Sequence, residues 1–600
     1  MISKGFHMHG HRFIGEKGSQ QTVRHLSRTA DTFLIVLGLF AIFSVFVCGK
    51  VALYAFGDME AVVSSVPDDT GYFYKIAQNV VAGKGLTFDG VNETNGFQPL
   101  WLYLLVPLAW AMREAPVDLY LRAALIYQLS LVAIAGILFF LAMSLYSRRS
   151  VALASTALFY LFGIFFANGM ETGALVLCLS ALLYFSLRCR PFFSECKFEP
   201  AFVFGLLLGL TMLARLDMVF LLIVIYIFLL WKIFFNAVPS NRTSLIRQSL
   251  ASVFAFSLVT VPYFIYNKVH FGAIMPISGQ LKNSFPYILQ PDFGTDRFPA
   301  QVLLIFISIC IFSAVSTFRF WRSQRNFDVL ERYKIGILLI GTTSVLIHYF
   351  NTALFMKWAV FSWQFAFYFF HACIIFAYVL DDFIAKKDTL PQNTPKTQGT
   401  PLKNSVLSVF SMVSFCRGPL HRILSSFSAF ALRFTVTIII VVLFGALLFL
   451  SYKVSTLQPK GWHPQAYKAA VWTRNNLSQD VRLAMKDAGL FGLLSERTVI
   501  NLDGLVNNLQ YQEYLRKKQL SEYFRQKGVQ YLVQHAYWPG RPQYAEFVDA
   551  SYTHFDITFR SQLYNTISDP IRLYREDEVY RSHIYYDGPY RTVFAIWRLR

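Results

Sequence analysis

Charge is what this chain has least of. Only 15% of its 600 residues are Asp, Glu, Lys or Arg, against 55% hydrophobic, a balance that excludes an ordinary soluble protein over its whole length. Acidic residues are the scarcer kind, 35 against 55 basic, for a formal net charge of +20. A basic surplus is one mark of nucleic-acid binding, but in membrane proteins basic residues collect in cytoplasmic loops. Here they sit between apolar runs, so no nucleic-acid partner is expected. Cysteine is sparse too. Cys48, Cys178, Cys189, Cys196, Cys310, Cys373 and Cys416 show no zinc-ligand spacing, and none lies beyond Lys453, so no disulfide framework is written into the last quarter. No internal repeat is evident. The basic first stretch (Lys4, Arg12, Lys17, Arg24 and Arg28 against Glu16) leads into a long apolar run. It lacks the short core and small-residue site of a cleavable signal peptide, so an uncleaved first span is expected.

Apolar runs of bilayer length recur at 32–56, 119–146, 217–235, 250–267, 301–318, 358–380 and 431–450. The expected fold class is a polytopic α-helical membrane protein of about 11–13 transmembrane helices with a C-terminal extracytoplasmic α/β domain. The expected domains are a basic cytoplasmic N-terminus at 1–31, a membrane domain at 32–452 and a soluble domain at 453–600. Within the membrane domain, 57–99 is the first external loop and 385–430 a cytoplasmic linker rich in Thr, Pro, Asn and Gln. Basic clusters at Arg148–Arg149, Arg188–Lys197, Lys232–Arg247, Arg319–Lys334 and Lys386–Arg422 set the N-terminus inside and the C-terminal domain outside. Leu100–Met112 is too short for an easy span and reads as re-entrant or interfacial, giving about 11 crossings, or 13 if 100–146 crosses three times. The expected location is a bacterial cytoplasmic (inner) membrane. Beyond Lys453, periodicity predicts helices at 464–477 and 510–526 and strands near 481–485, 498–502 and 529–533.

On that topology the loops 57–99, 168–171, 214–217, 268–300 and 351–357 share the outer side. They hold Asp68, Asp69, Glu171, Arg215, Asp217, Lys282 and Lys357, all unusually close to apolar helix ends. Ionisable groups at a bilayer edge are costly and mark a substrate path or a paired site. From Thr70 to Ala82, Tyr72, Phe73, Ile76, Ala77 and Val80 share one helical face, Lys75, Gln78 and Asn79 face away, and Gly83 and Gly85 end the helix. The helix is predicted to lie along the membrane surface with Asp68 and Asp69 at its N-terminus. One aspartate suffices as an N-cap; the other then has no such use. Plainer readings exist for the rest: Arg215 and Asp217 as a mutual ion pair, Glu171 as a helix cap, Lys282 and Lys357 as boundary lysines with heads in water.

A carboxylate at the lipid–water boundary opposite basic residues suits one reaction class. It takes the proton of an acceptor hydroxyl while Lys or Arg stabilises a departing phosphate; a sugar carried on a lipid phosphate supplies both the location and the leaving group.

The stretch "DDTGYFYKIAQNVVAGKGLTFDGVNETNGFQPLW" resembles the first external loop of GT-C glycosyltransferases, most of all bacterial members of the mycobacterial arabinofuranosyltransferase type. Further matches follow in order: "NGMETGALV" at 168–176, "LARLDMV" at 213–219, "FGAIMPISGQLKNS" at 271–284 and "KDAGLFGLLSERTVINLDGL" at 486–505. The resemblance implies a polytopic enzyme that moves sugar from a polyprenyl-phosphate sugar to a hydroxyl of a glycan, lipid or protein acceptor at the external membrane face. It maps the catalytic aspartate onto Asp69, with Asp68 as the fallback, and donor-phosphate contacts onto Arg215 and Lys282. Glu171, Asp217, Asn95 and Lys357 are the implied substrate-binding positions. Leu216 stands where relatives often have Pro, and Gln98 where a His is expected, which weakens any metal assignment; no metal ligand is assigned, and a divalent cation is the one cofactor left open. "DAGLFG" lacks the full spacing of a dinucleotide-binding loop. A transporter or flippase for lipid-linked glycans is the alternative; it requires charges near the bilayer midplane and internal repeats, whereas here the charges gather at one rim. A scaffold that merely displays the C-terminal domain leaves the Asp68–Asp69 helix without a purpose.

Overall fold

The computed structural model describes residues 37–192, 198–236, 239–289, 291–322, 329–388, 437–535 and 542–600. The basic N-terminus 1–31, residues 389–430 of the linker, Cys196 and Cys416 lie outside these.

The first part of the chain is helical: α1 (Leu37–Phe56), α2 (Met59–Ser64), α3 (Thr70–Val81), α4 (Pro99–Ala111), α5 (Val117–Tyr146), α6 (Arg149–Leu161), α7 (Gly163–Phe166), α8 (Thr172–Cys189) and α9 (Phe198–Ala214). It continues with α10 (Val219–Trp231), α11 (Pro239–Phe271), α12 (Ile277–Lys282), α13 (Ala300–Arg322), α14 (Val329–Phe355), α15 (Ala366–Asp388) and α16 (Thr437–Ser455). Among the described residues nine helices are long and apolar enough to cross a membrane: α1, α5, α8, the run Leu216–Phe235 around α10, α11, α13, α14, α15 and α16. Only a helix satisfies every backbone group within a segment in lipid, so apolar runs of this length have no other stable form there. The shorter apolar helices α4, α6 and α9, of 13, 13 and 17 residues, fall outside this set, so the described residues hold fewer helices of spanning length than the 11–13 expected. Two expected spans shift: 250–267 belongs to the much longer α11, and the run at 358–380 becomes helical only from Ser362. Gly205 and Gly209 let α9 approach α11 at backbone distance, since a Cβ at Gly205 would lie 2.2 Å from the Ser252 carbonyl.

The C-terminal domain comprises α17 (His463–Asn476), β1 (Arg482–Met485), α18 (Gly489–Leu494), β2 (Thr498–Asn501), α19 (Leu509–Arg516), α20 (Leu520–Lys527), β3 (Tyr531–Gln534) and α21 (Pro542–Val548). There follow β4 (His554–Ile557), β5 (Arg560–Ser561), β6 (Thr566–Ile567), β7 (Ile571–Tyr574), β8 (Glu578–Arg581), β9 (Tyr585–Asp587), β10 (Tyr590–Thr592) and β11 (Ala595–Arg598). The main sheet runs β2-β1-β3-β11-β8, with β1 parallel to both β2 and β3 and antiparallel pairing from β3 outward. Leu483 pairs with Val499 on one side and Tyr531 on the other. Its central strands are buried along almost their whole length, which is why they read as short apolar runs without alternation. The three predicted strands are present. The predicted helix 510–526 is instead two, broken at Lys517–Gln519 with Lys518 left-handed at φ 55°. The antiparallel part, built from residues 554–598, was not foreseen.

The first-loop helix α3 is covered by protein rather than open on one face. It is packed between α4 and α18 of the C-terminal domain, and Tyr72, Tyr74, Ile76 and Ala77 are all buried. Asn79, expected to face away, is buried as well. Its amide donates to the Thr87 and Phe88 carbonyls, both at 2.9 Å, and so pins the turn that Gly83 and Gly85 make with positive φ. Period alone assigned Asn79 to the polar face; a second layer covers that face in the folded chain.

Candidate active site

A cavity of about 290 Å³ opens where the first loop, α12 and the starts of α8, α10 and α15 meet. Asp69, Glu171, Arg215, Asp217, Lys282 and His348 all line it, so six titratable residues from five separate chain segments converge. This is the concave site with a few convergent polar groups that a small-molecule chemistry requires.

The two adjacent aspartates are separated by what holds them. Asp68 turns into the C-terminal domain, where its carboxylate accepts hydrogen bonds from the backbone N–H groups of Gly489 and Leu490, both at 2.8 Å. It thus caps α18 rather than its own helix, and the "DAGLFG" stretch offers its free N–H groups to Asp68, not to a nucleotide. Burial, with Asp487 and Asp69 nearby, pushes the Asp68 carboxyl well above the usual range in spite of those two bonds. Asp69 occupies the N-cap position of α3 but makes no side-chain cap bond, and its backbone is already helical at φ −53°, ψ −21°. Its carboxyl faces the cavity instead. Burial raises its pKa to about 6, helped by Asp503 and Asp487, while the Lys282 ammonium pulls it down.

Glycines allow this placement. A Cβ on Gly71 would lie 2.1 Å from the Gly489 carbonyl, and one on Gly489 would lie 2.1 Å from the Asp68 carbonyl. Helix α3 therefore meets α18 backbone to backbone, which no larger residue permits. Tyr72 completes the joint: its hydroxyl donates to Asp503 at 2.8 Å and accepts from Asn501 at 3.0 Å and the Ala488 N–H at 3.2 Å. Thr70 reaches the other way, to the Asn168 carbonyl at 3.2 Å, and so ties Asp69 to the loop that carries Glu171.

Arg215 is fully engaged. It makes a two-pronged pair with Asp217 at 3.1 and 2.6 Å, an ion pair with Glu171 at 3.2 Å and a bond to the Trp363 carbonyl at 3.2 Å. Asp217 also lies 3.5 Å from His348, whose other ring nitrogen is 3.0 Å from the Tyr368 hydroxyl. The mutual ion pair read from the sequence is thus present, extended into a network of four residues. Glu171 makes no helix-cap bond; one of its oxygens is buried with no hydrogen-bond partner among the described residues. Lys282 differs: it lines the cavity at the end of α12 while, among the described residues, no hydrogen bond or ion pair occupies its ammonium. Its backbone carbonyl accepts from the Lys357 N–H at 2.8 Å.

Two expected substrate contacts sit elsewhere. Asn95 is buried outside the cavity, where it accepts from the Ile277 N–H at 2.9 Å and donates to Asn267 at 3.4 Å; it fastens the first loop to the segment that carries Lys282. Lys357 turns away to the Gln562 carbonyl at 3.2 Å, and burial lowers its pKa. Gln98 accepts from the Leu216 N–H at 3.1 Å and so positions the segment beside Arg215. Sequence reading missed Asp487, Asp503, His348 and Tyr72 as polar members of the site. For Asp487 and Asp503 the signal was present, in the matched stretch 486–505, but the residues were read as part of a separate domain. Among the described residues no group of three or more His, Cys, Asp or Glu side chains is placed to hold a metal ion.

Residues 456–580 match a family described as a domain of unknown function, DUF8728. No curated protein matches the sequence. Among solved structures the chain is similar to ArnT from Cupriavidus metallidurans bound to undecaprenyl phosphate, at 12% identity and a TM-score of 0.52, over 94% of this chain and 98% of that one. It is also similar to the archaeal oligosaccharyltransferase AglB from Archaeoglobus fulgidus, in complex with an inhibitory peptide and a dolichol-phosphate (12% identity, TM-score 0.48, 84% of this chain and 69% of that). The apo form of the Archaeoglobus enzyme gives 13% identity and a TM-score of 0.46 over 83% of this chain and 69% of that. At such identities likeness speaks to fold. Matched end to end with ArnT, the chain has the GT-C fold: a polytopic helical bundle with a β-containing C-terminal domain.

Proposed function

We propose that this protein is a membrane glycosyltransferase that moves a sugar from a polyprenyl-phosphate sugar to an acceptor hydroxyl at the external face of the membrane, with Asp69 as the base. The observation that carries the reading is the division of labour at the cavity. Asp68 is held by α18, Arg215 is held by two carboxylates, and the groups left facing the space are the Asp69 carboxyl and the Lys282 ammonium. The fold supports it, since the similar ArnT structure holds undecaprenyl phosphate.

The reaction balances on these two residues. Asp69 accepts the acceptor's hydroxyl proton as that oxygen bonds to the sugar's anomeric carbon. The bond from that carbon to the phosphate oxygen breaks, and its electron pair leaves on the phosphate, where Lys282 meets the growing charge. Asp69 then passes its proton to water. A pKa of about 6 suits this role, because a base acts best when it titrates near the working pH. Arg215, tied by Asp217 and Glu171, acts by fixing the cavity wall.

The test is release of free polyprenyl phosphate by the purified full chain from a panel of labelled polyprenyl-phosphate sugars. Release with at least one donor, matched by label in an acceptor, is expected. A chain that binds such donors and never releases the phosphate is a carrier, and the reading falls.

A further inference from the structure

Asp69 borders a second space. It is a cleft of about 610 Å³ between the membrane helices and the C-terminal domain, lined by Asp69, Trp358, Trp363, Trp462, His535 and Asp487 and not by Lys282 or Arg215. It shares Ser64, Trp462 and His463 with a wider hollow of about 910 Å³, which ends at the hairpin of β9 and β10. The two form one groove from the carboxyl of Asp69 to Tyr586, which is 65% exposed at the hairpin.

The walls of this groove are flat. Trp462 stacks on His535 with ring centres 3.9 Å apart and planes within 4°, and Phe361 stacks on Trp363 at 4.5 Å within 5°. Polar groups sit between the rings. Asp487 holds a left-handed backbone at φ 52° and lies 3.6 Å from His535; strain of that kind persists where the surroundings impose it. His535, more than nine-tenths buried, has no hydrogen-bond partner for its Nδ1 among the described residues. Asp69, Asp487, Asp587 and Glu60 outnumber the two lysines at the groove, Lys460 and Lys468, and Lys468 is paired with Glu60 at 3.0 Å.

We propose that this groove is the acceptor subsite and that the acceptor is a neutral carbohydrate chain of several units, its reacting hydroxyl at Asp69 and its inner units on Trp462 and Tyr586. Sugar rings present C–H faces that pack on aromatic planes and rim hydroxyls that bond to carboxylates and imidazoles. The groove offers both. Its acidic balance disfavours phosphorylated or otherwise anionic chains, and its two volumes together exceed what one sugar fills. The inference rests on the transferase reading and deepens it by naming the acceptor class. The proton taken by Asp69 and the new bond to the anomeric carbon are those of the step above; the second cavity supplies the oxygen.

The experiment is tryptophan fluorescence titration of the purified full chain with soluble oligosaccharides of two to six units in the glucose, mannose, galactose, arabinose, rhamnose and N-acetylglucosamine series. Undecaprenyl phosphate and a set of synthetic peptides are titrated in parallel. At least one series should bind, more tightly with each added unit up to about four or five. Trp462→Ala should weaken it about tenfold or more, and Trp462→Phe should restore most of that if the loss is of stacking. Tyr586→Ala should remove the gain from the longest members alone, and Lys282→Ala should weaken undecaprenyl phosphate binding only. If undecaprenyl phosphate binds and no oligosaccharide does, or the peptides alone compete for the groove, the acceptor inference is overturned and the transferase reading stands. If undecaprenyl phosphate does not bind either, both fall.

Discussion

Two short segments bring the reacting groups of the proposed site together, and they are built in opposite ways. The Asp69 segment is buried and bolted. Asp68 and Tyr72 bond to the C-terminal domain, Thr70 bonds to the loop before α8, and Gly71 lies against Gly489. The Lys282 segment is anchored at its base and open at its flanks. Ile277 and Leu281 are buried against Leu505, Asn95 accepts from the Ile277 N–H, and Lys282 and Ser284 bond to Lys357 and Phe355 across the Asn283–Met356 bridge. Around it Ile274, Met275, Phe285, Tyr287 and Ile288 are 52–77% exposed. A base must be placed to a fraction of an ångström to take a proton, whereas a phosphate on a lipid arrives from the bilayer past apolar side chains and needs a charge that can follow it.

The comparison breaks most visibly at Asp69. Asp69→Asn keeps size and removes the base, and should lower transfer at least about a hundredfold while donor binding persists; Asp68→Asn should cost less, since its carboxyl holds α18 and does not face the cavity. Near-normal transfer by Asp69→Asn with a dead Asp68→Asn would exchange the two roles. The same Asp69→Asn should raise Tm at pH 7.5. The folded chain holds the Asp69 proton more tightly than the unfolded chain, so ionised Asp69 costs stability above about pH 6, at most about 3 kcal/mol, and less at pH 5.

Lys282→Ala probes the other segment. Donor kcat/KM should fall by about tenfold or more, with kcat falling as well as KM rising, because phosphate charge grows as the glycosyl bond breaks. Unchanged donor kinetics would leave Lys282 a boundary lysine.

Dependence on pH joins the two segments. With Asp69 at about 6, roughly one tenth of it is ionised at pH 5 and nearly all at pH 7.5, so transfer should drop about tenfold over that interval. In Lys282→Ala the acidic limb should move to higher pH, because the ammonium that favours the carboxylate is gone. A limb that stays in place would separate the two groups.

The finest contrast is in the glycines. Gly71→Ala drives a methyl into the Gly489 backbone and should cost about 1–3 kcal/mol or more, along with activity. Gly279→Ala meets only the flexible side chain of Met275, at 2.9 Å, and should cost well under that in thermal melts. Equal losses would show that the two segments are equally rigid.

Sequence alone determined the polytopic class, because runs of 18 or more apolar residues have one stable conformation in lipid. It also determined three strands of the C-terminal sheet and the suspicion attached to Asp68, Asp69, Glu171, Arg215, Asp217 and Lys282. Those charges stand out one by one against an apolar background, and no fold is needed to see them. Tertiary structure decided everything that depends on which surfaces meet. Nothing local distinguishes Asp68 from Asp69; the difference is the docking of α18, some 420 residues away in sequence, onto one of them. Asn79 was misread for the same reason, since helical period reports one buried face and α3 is covered on two, and the contacts of the Tyr72 hydroxyl lie across the same joint. Lys357 and Asn95 looked like site residues because loop charge and position do not say which way a side chain turns. Backbone hydrogen bonding and hydrophobic run length are local quantities and can be read along the chain; the approach of two distant segments is not, and at this site that approach separates the base from the cap.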